Sequence, residues 1–568
     1  MIYTYTLSVD PNKEEALRSI VCKKLDVKAE DLKDFTVRKK SIDARHKPEI
    51  VYNFTVSFKT GDSHLEKRIK RAGAKPAEGE KKYAFPGLKE EGSALYTSGV
   101  QTGSSRKQPV IVGFGPAGMF AAYALAKAGL NPVVLERGSR MDERIKAVSA
   151  FHKGGVLLNN CNVQFGEGGA GTFSDGKLNT GVKDRSGRNE AVLRTFYEFG
   201  ADLDITYDGR AHMGTDVIRK VVVNMRTEIE RLGGTVLFDS KFTRPEIRNG
   251  KVTGVYYENT SLSASEGSGE AGKKTGSVNY LETDTLVLAI GHSSRDTYEM
   301  LHNAKFSMEA KSFAVGFRVL HEADFINESQ YGRGYREKYP KLPTAYYKLA
   351  KTTSFDRNVY SFCMCPGGVV VNASSEANRL CINGMSNKAR EGLYSNAAIV
   401  LNVGPKDFES MGYTGILAGM EFQRKLEEKA CILGNGAIPV QFYQSFKENL
   451  TDEIKNDRFV SMIREGMQGK ALYANLRELF PDSMNQAFIE GMEYFNTCIR
   501  GYTDENPLLA GVEARTSAPI RILRTDEFQS PDAGGIYPCG EGAGYAGGIM
   551  SAAMDGLKVA EAILSREQ

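Results

Sequence analysis

Long apolar runs are missing from this chain. Stretches such as Val110–Val112 and Leu286–Ile290 stop far short of the roughly 20 residues that a membrane-spanning helix needs, so no transmembrane segment is expected. The start, Met1-Ile2-Tyr3-Thr4-Tyr5, alternates like a strand and lacks the basic-then-apolar pattern of a signal peptide. Cysteine is sparse, eight in 568 residues. That excludes a disulfide-stapled scaffold and points to a reducing, cytoplasmic setting. The eight cysteines and seven histidines show no grouping of about four ligands, so no metal is expected. Excess charge is also small, +4 overall, which argues against a polyanion partner for the whole chain. No internal repeat or heptad array is present. The 41% hydrophobic and 25% charged content is that of an ordinary globular protein, and the length predicts about three domains at ~100–200 residues each.

The charge is uneven. Residues 1–75 hold 17 Lys and Arg against 11 Asp and Glu, or +6, which leaves −2 for the remainder. Ile2–Ser8 and Ile50–Phe58 alternate as strands, and Pro11–Leu25 reads as a helix, so an N-terminal α+β module is expected. Residues 72–108 are rich in Gly, Ala, Lys, Glu and Ser and read as a linker threaded over the next domain. Asn259–Asn279, similarly biased, reads as a long hairpin tip between strand-like flanks.

The chemistry-bearing motif begins at Pro109-Val110-Ile111-Val112, an apolar run typical of a buried parallel strand. Gly113-Phe114-Gly115-Pro116-Ala117-Gly118 follows at once, then a helix of small apolar residues over Met119–Ala128. A second strand, Pro132–Leu135, ends at Glu136. Gly113 permits the tight turn, Gly115 lets a pyrophosphate approach the backbone, and Gly118 lets the helix lie close to the strand. The helix N-terminus offers N–H groups and its positive dipole end to the phosphates. Glu136 is placed to accept from ribose hydroxyls, and its charge argues against a 2′-phosphate there. A dinucleotide site is expected.

Further segments carry a resemblance. These are Glu136-Arg137-Gly138, Asn162–Lys177 (NVQFGEGGAGTFSDGK), Ser361–Gly368 (SFCMCPGG), Gly511–Ser517 (GVEARTS) and Tyr537–Ile549 (YPCGEGAGYAGGI). With them, the chain resembles the uncharacterised FAD-dependent dehydrogenases often labelled "NAD(FAD)-utilizing dehydrogenases", over its whole length. The resemblance implies an FAD-binding fold like that of glutathione reductase and aromatic hydroxylases, with no defined substrate. It implies a flavin-facing helix opening at Gly547-Gly548-Ile549, Gly540 and Glu541 beside the ribityl chain or pyrophosphate, and Ala289 and Gly291 on a strand beneath the cofactor. In the residues themselves, Gly168, Gly169, Ala170 and Gly171 let the backbone wrap a ligand closely. Thr172, Ser174, Asp175 and Lys177 offer polar groups.

The expected architecture is α/β. It has the N-terminal module over 1–75, a linker over 76–105, and a discontinuous Rossmann-type FAD domain over 106–305 and 515–568. A mixed α/β substrate domain is inserted over 306–514. The reading is an FAD-dependent oxidoreductase acting on an unidentified small molecule. A second GxGxxG is lacking, because Gly434-Asn435-Gly436-Ala437 has neither the third glycine nor a matching helix. NAD(P)H therefore enters as a transient reductant at an open flavin face. The catalytic candidates are His292, Arg515 and the pair Cys363 and Cys365, which alternation puts on one face of a strand. Arg318, Arg379, Arg390 and Arg515 are cations for an acidic substrate, and Asn383–Asn387 reads as a polar turn. A flavin-dependent RNA-modifying enzyme, motivated by the basic N-terminal module, and a non-catalytic flavin sensor stand as alternatives. No nucleic-acid partner is favoured.

Overall fold

The computed structural model describes residues 1–78, 83–85, 107–260, 278–451 and 456–566. Its centre is a five-stranded sheet in the spatial order Ile536–Pro538, Leu286–Leu288, Val110–Val112, Val133–Leu135 and Thr235–Leu237, with every pair parallel. Short β-branched runs suit this position because both faces are covered. On one face lie the helices Pro116–Lys127, Ile549–Ser565 and Gly214–Arg231, sharing one apolar core with the sheet. Residues Ala117–Ala126 are all buried, which explains a helix apolar on every side. This helix and Ile549–Ser565 touch closely, since a Cβ on Gly556 would lie 2.2 Å from Ala117 O. The other face is covered by an antiparallel meander of Ser240–Arg248, Lys251–Asn259 and Val278–Glu282, and by the helix Arg295–Asn303.

The chain leaves this unit at Met308–Ala310 and returns at Ile520–Ile522, and the two passages pair antiparallel. Between them a seven-stranded, mostly antiparallel sheet forms, centred on Phe313–Glu322 and flanked by Tyr394–Val403 and Leu508–Glu513. Phe317 anchors its core against Phe446, Phe480 and Phe488.

The N-terminal residues form a separate four-stranded antiparallel sheet in the order Lys33–His46, Glu49–Lys59, Ile2–Val9 and Lys75–Ala77. Here the structure departs from the sequence reading. The last strand crosses the expected boundary at 75. A 3-10 turn, Pro11–Ala16, precedes the helix Leu17–Leu25. Most of the expected linker lies outside the described residues. Tyr83 and Phe85 within it pack edge-on with each other, and Phe85 does so against Tyr123 of the central helix. The expected hairpin tip also lies outside the described residues over 261–277. Its flanks, Lys251–Asn259 and Val278–Glu282, pair antiparallel. Asn383–Asn387 is not a turn, because Ile382–Met385 is a strand paired with Val369–Asn372. Among the described residues no helix is long and apolar enough to cross a membrane, and no group of His, Cys, Asp or Glu gathers to hold a metal ion.

Candidate functional site

A cavity of about 910 Å³ lies at the carboxyl ends of the parallel strands, where open α/β sheets bind ligands. Its floor is the turn Gly113, Gly115 and Pro116, the strand end at Glu136, and Ala289–Ser294 after Leu286–Leu288. One wall is Gly169–Gly171 with Ser174–Lys177, and another is Gly547–Ala552. The opposite wall comes from the seven-stranded unit through Ser361–Cys365, Glu513 and Arg515. Two helices open onto this space, at Pro116 and Ile549, each preceded by a glycine N-cap without a side-chain cap bond. Their first N–H groups and positive dipole ends are therefore aimed at the cavity. Gly113 makes the first turn possible. Its φ is +96°, and a Cβ there would lie 2.4 Å from Ala289 O.

The predicted cofactor residues divide into two groups. Gly113, Gly115, Pro116, Ala117, Glu136, Arg137, Gly169, Ala170, Gly171, Ser174, Asp175, Ala289, Gly291, Glu541, Gly547, Gly548 and Ile549 line the cavity. Gly118, Gly138, Gly168, Thr172 and Gly540 are not among the lining residues. They permit close packing behind the wall. A Cβ on Gly118 would lie 2.0 Å from Gly113 O, one on Gly138 2.6 Å from Asn160 O, and one on Gly168 2.3 Å from Thr172 Oγ1. One on Gly540 would lie 2.6 Å from the Ala117 Cβ, and Thr172 Oγ1 donates to Glu167 O.

Glu136 is less free than expected. Its carboxylate accepts from the backbone N–H groups of Phe114, Gly138 and Gly166, each at 2.9 Å, and so ties three loops together. Asp175 is not a free acid either. Arg390 and Lys177 hold its carboxyl well below the usual range despite burial, with Arg390 Nη2 at 2.5 Å and Lys177 Nζ at 3.1 Å. Arg137 pairs with Asp296 at 2.5 Å.

The four expected substrate cations are all consumed internally. Arg318 is fully buried, and its Nε donates to Glu513 at 2.8 Å. Arg379 pairs with Glu376 at 2.9 Å, and Arg390 with Asp175. Arg515 donates from Nε and Nη2 to Glu427, both at 2.7 Å. Glu427 also receives Arg295, through Nη2 at 2.6 Å and Nη1 at 2.9 Å. Burial would raise the Glu427 carboxyl, yet Arg295 and Arg515 hold it far below the glutamate range. Arg515 continues to Ser293 Oγ at 3.0 Å, and His292 Nδ1 lies 2.8 Å from that same oxygen. Burial and the positive Arg515 and Arg295 push His292 down to about 3, so its ring is neutral at physiological pH.

The cysteine pair lies at a bulge. The ladder with Tyr394–Val403 shifts between Phe362 and Cys365, and Cys363 sits in that bulge at φ +41°. Both cysteines line the cavity, Cys363 exposed and Cys365 buried beside Arg318. Enclosure by protein pushes the Cys363 thiol up to about 12, which keeps it protonated.

Sequence reasoning missed Glu427, Arg295 and Lys311. Glu427 had a signal. It falls on the same helical face as Met420, Gln423 and Ala430, all buried, and a charge on an apolar face asks for a partner. Lys311 had none, since it lines the cavity from the crossover near Met308–Ala310. Burial lowers its pKa, and Glu541 opposes that. Burial in turn raises the Glu541 carboxyl to about 7 against the pull of Lys311. A carboxyl raised on folding binds its proton in the folded state first. In the flavin-free protein, the Glu541 contribution to stability is therefore expected to fall as pH rises from about 4.5 through about 7, while the buried histidines His212, His292 and His321, held below their usual pKa, pull the total the other way. Urea midpoints of wild type and Glu541→Gln across that window check this, and the stability of wild type relative to the variant is expected to fall as pH rises.

The comparisons bear on this arrangement. Residues 312–516 match the family model described as FAD-dependent protein, C-terminal domain-like, and residues 1–59 match a domain of unknown function (DUF8436). An "Uncharacterized protein" of Clostridium beijerinckii is 42% identical over 569 residues, which cover 100% of this chain and 98% of that protein. The chain belongs to the family of that clostridial protein. Among solved structures, glycerol-3-phosphate dehydrogenase from Bacillus halodurans complexed with FAD is similar at 10% identity and TM-score 0.34, covering 82% of this chain and 65% of that one. Glycine oxidase from Bacillus cereus is similar at 10% identity and TM-score 0.34, covering 82% and 96%. Likeness at that level carries no argument about activity.

Proposed function

We propose that the chain is an FAD-dependent oxidoreductase whose flavin lies in the 910 Å³ cavity, between the parallel sheet and the seven-stranded unit. The observation that carries this reading is the convergence of two uncapped helix N-termini, at Pro116 and Ile549, on one glycine-walled space. The residues fit the group. At Gly547 and Gly548 a Cβ would meet nothing within 4 Å, so the backbone faces open space. Gly115 and Gly169 approach so closely that a Cβ on Gly169 would lie 2.9 Å from Gly115 Cα, which forms a narrow cradle suited to a pyrophosphate. The match of 312–516 to the FAD-dependent protein model supports the same reading.

When bound, FAD supplies a ring that accepts and returns a hydride. The chain's residues hold and tune that ring. The Ile549 helix start offers positive potential to an anionic edge. The neutral His292 exchanges a hydrogen bond with Ser293 Oγ rather than carrying a charge, and the protonated Cys363 thiol borders the substrate side. Glu541, poised near neutrality, holds or releases a proton at its carboxyl beside Lys311. The substrate is a small molecule, and NAD(P)H is the reductant proposed. Anaerobic addition of NADPH or NADH to the FAD-loaded protein is expected to bleach the visible flavin band. A band that persists with both would leave the FAD site standing and reject a pyridine nucleotide as donor.

A further inference from the structure

A second cavity, of about 450 Å³, opens where the N-terminal sheet meets the rest of the chain. One wall is the end of Lys33–His46 and the turn after it, carrying Asp43, Arg45 and Lys47, and the facing wall includes Arg210 and Tyr346. The seam is built from main-chain bonds. Lys40 N donates to Tyr207 O and Gly209 N donates to Lys40 O, both at 2.9 Å. The ion pairs Lys338–Glu49 at 2.5 Å and Lys341–Glu15 at 2.7 Å reinforce it. Tyr346 lines both this cavity and the larger one.

The charges in the wall do not balance. Asp43 is the one carboxylate in it, and Arg45 takes both its oxygens, at 2.9 and 2.6 Å. Lys47 donates to the main-chain oxygen of Ser329, which offsets no charge. Arg210 places its guanidinium carbon 3.7 Å from the Tyr346 ring centre and hydrogen-bonds the Tyr331 phenol, and among the described residues it forms no ion pair. The neighbouring Asp208 is turned to the Arg210 main-chain N–H at 2.8 Å. Two cations thus face a concave space without a counter-charge, and such a space concentrates anions. The guanidinium, stacked and pre-oriented on Tyr346, presents a planar fork that matches phosphate oxygens.

We propose that this cavity binds a phosphate-bearing small molecule, with Arg210 and Lys47 holding the phosphate. This gives the N-terminal module a role as one wall of a ligand site, and it stands independently of what fills the larger cavity.

The test is calorimetric titration of the full-length, FAD-saturated protein with inorganic pyrophosphate at low salt. FAD saturation keeps the probe out of the dinucleotide cradle. Wild type is expected to bind. Arg210→Ala and Lys47→Ala are each expected to weaken binding at least ten-fold, and Arg210→Lys to recover part of it, with flavin spectrum and unfolding midpoint unchanged. Displacement of pyrophosphate by NADPH would identify a pyridine nucleotide as the source of the phosphate, and displacement by AMP but not NADPH a smaller phosphate ester. No binding to wild type, or binding unaffected by both substitutions, would overturn the proposal. If the protein takes up no FAD, the same titration on the flavin-free chain still isolates this site through its Arg210 dependence.

Discussion

Glu427→Ala is expected to destabilise the protein by about 3–5 kcal/mol, because it removes the carboxylate that two buried guanidinium groups share, leaving Arg515 with the hydroxyls of Ser293 and Ser375 and Arg295 with Glu376. Arg295 and Arg515 both spend two nitrogens on this carboxylate, and Glu427 itself is fully buried. Denaturant unfolding measured at neutral pH reads the loss. Glu427→Gln keeps the shape and removes the charge, so it is expected to lose a large part of the same stability. The pH dependence has a definite sign. The folded-state pKa of Glu427 lies below its unfolded value, so its contribution is complete above the ordinary glutamate range and disappears as pH falls through the folded value. The gap between wild type and variant should therefore narrow in acid. The wild type should weaken there too, since Asp175 and Glu376 are depressed in the same direction.

Gly113→Ala is expected to remove the flavin more thoroughly than it unfolds the chain. The new methyl would sit 2.4 Å from Ala289 O, in a backbone conformation of φ +96°. Overpacking and a left-handed alanine cost about 1–3 and 1–2 kcal/mol. Relief requires moving Ala289 or the turn, and both line the cavity. A loss of ~2 kcal/mol in the cradle corresponds to roughly 30-fold weaker FAD binding, measurable by flavin retention on desalting. Gly250→Ala is the control. Gly250 also has positive φ, but nothing lies within 4 Å of its Cβ position, so it carries the strain without touching the site.

The parts of this fold legible in the sequence are local ones. The strand, glycine turn, helix and terminal acid of 110–136 lie in chain order, and each acts on its immediate neighbours. The burial of Ala117–Ala126 follows directly from their composition. What was not legible depends on partners far along the chain. Glu136 reads as a ribose ligand, but its tie to three loops stays hidden because the third N–H comes from Gly166, thirty residues on. Arg515 reads as a substrate cation until the helix Ala418–Leu433 delivers Glu427. The bulge that shifts the ladder between Phe362 and Cys365 is announced by no propensity. Long-range ion pairing hides from sequence because an arginine looks the same whether solvent or a buried glutamate receives it.

The central claim is that the glycine-walled cavity holds FAD. The most direct measurement is the visible spectrum of the purified full-length protein, with the cofactor released by denaturation and identified chromatographically. The account predicts a flavin band and FAD, not FMN, in amounts approaching equimolar after incubation with excess cofactor, and a sharp drop in Gly113→Ala. A protein that shows no flavin band after the same incubation, or that retains FAD unchanged in Gly113→Ala, would contradict it.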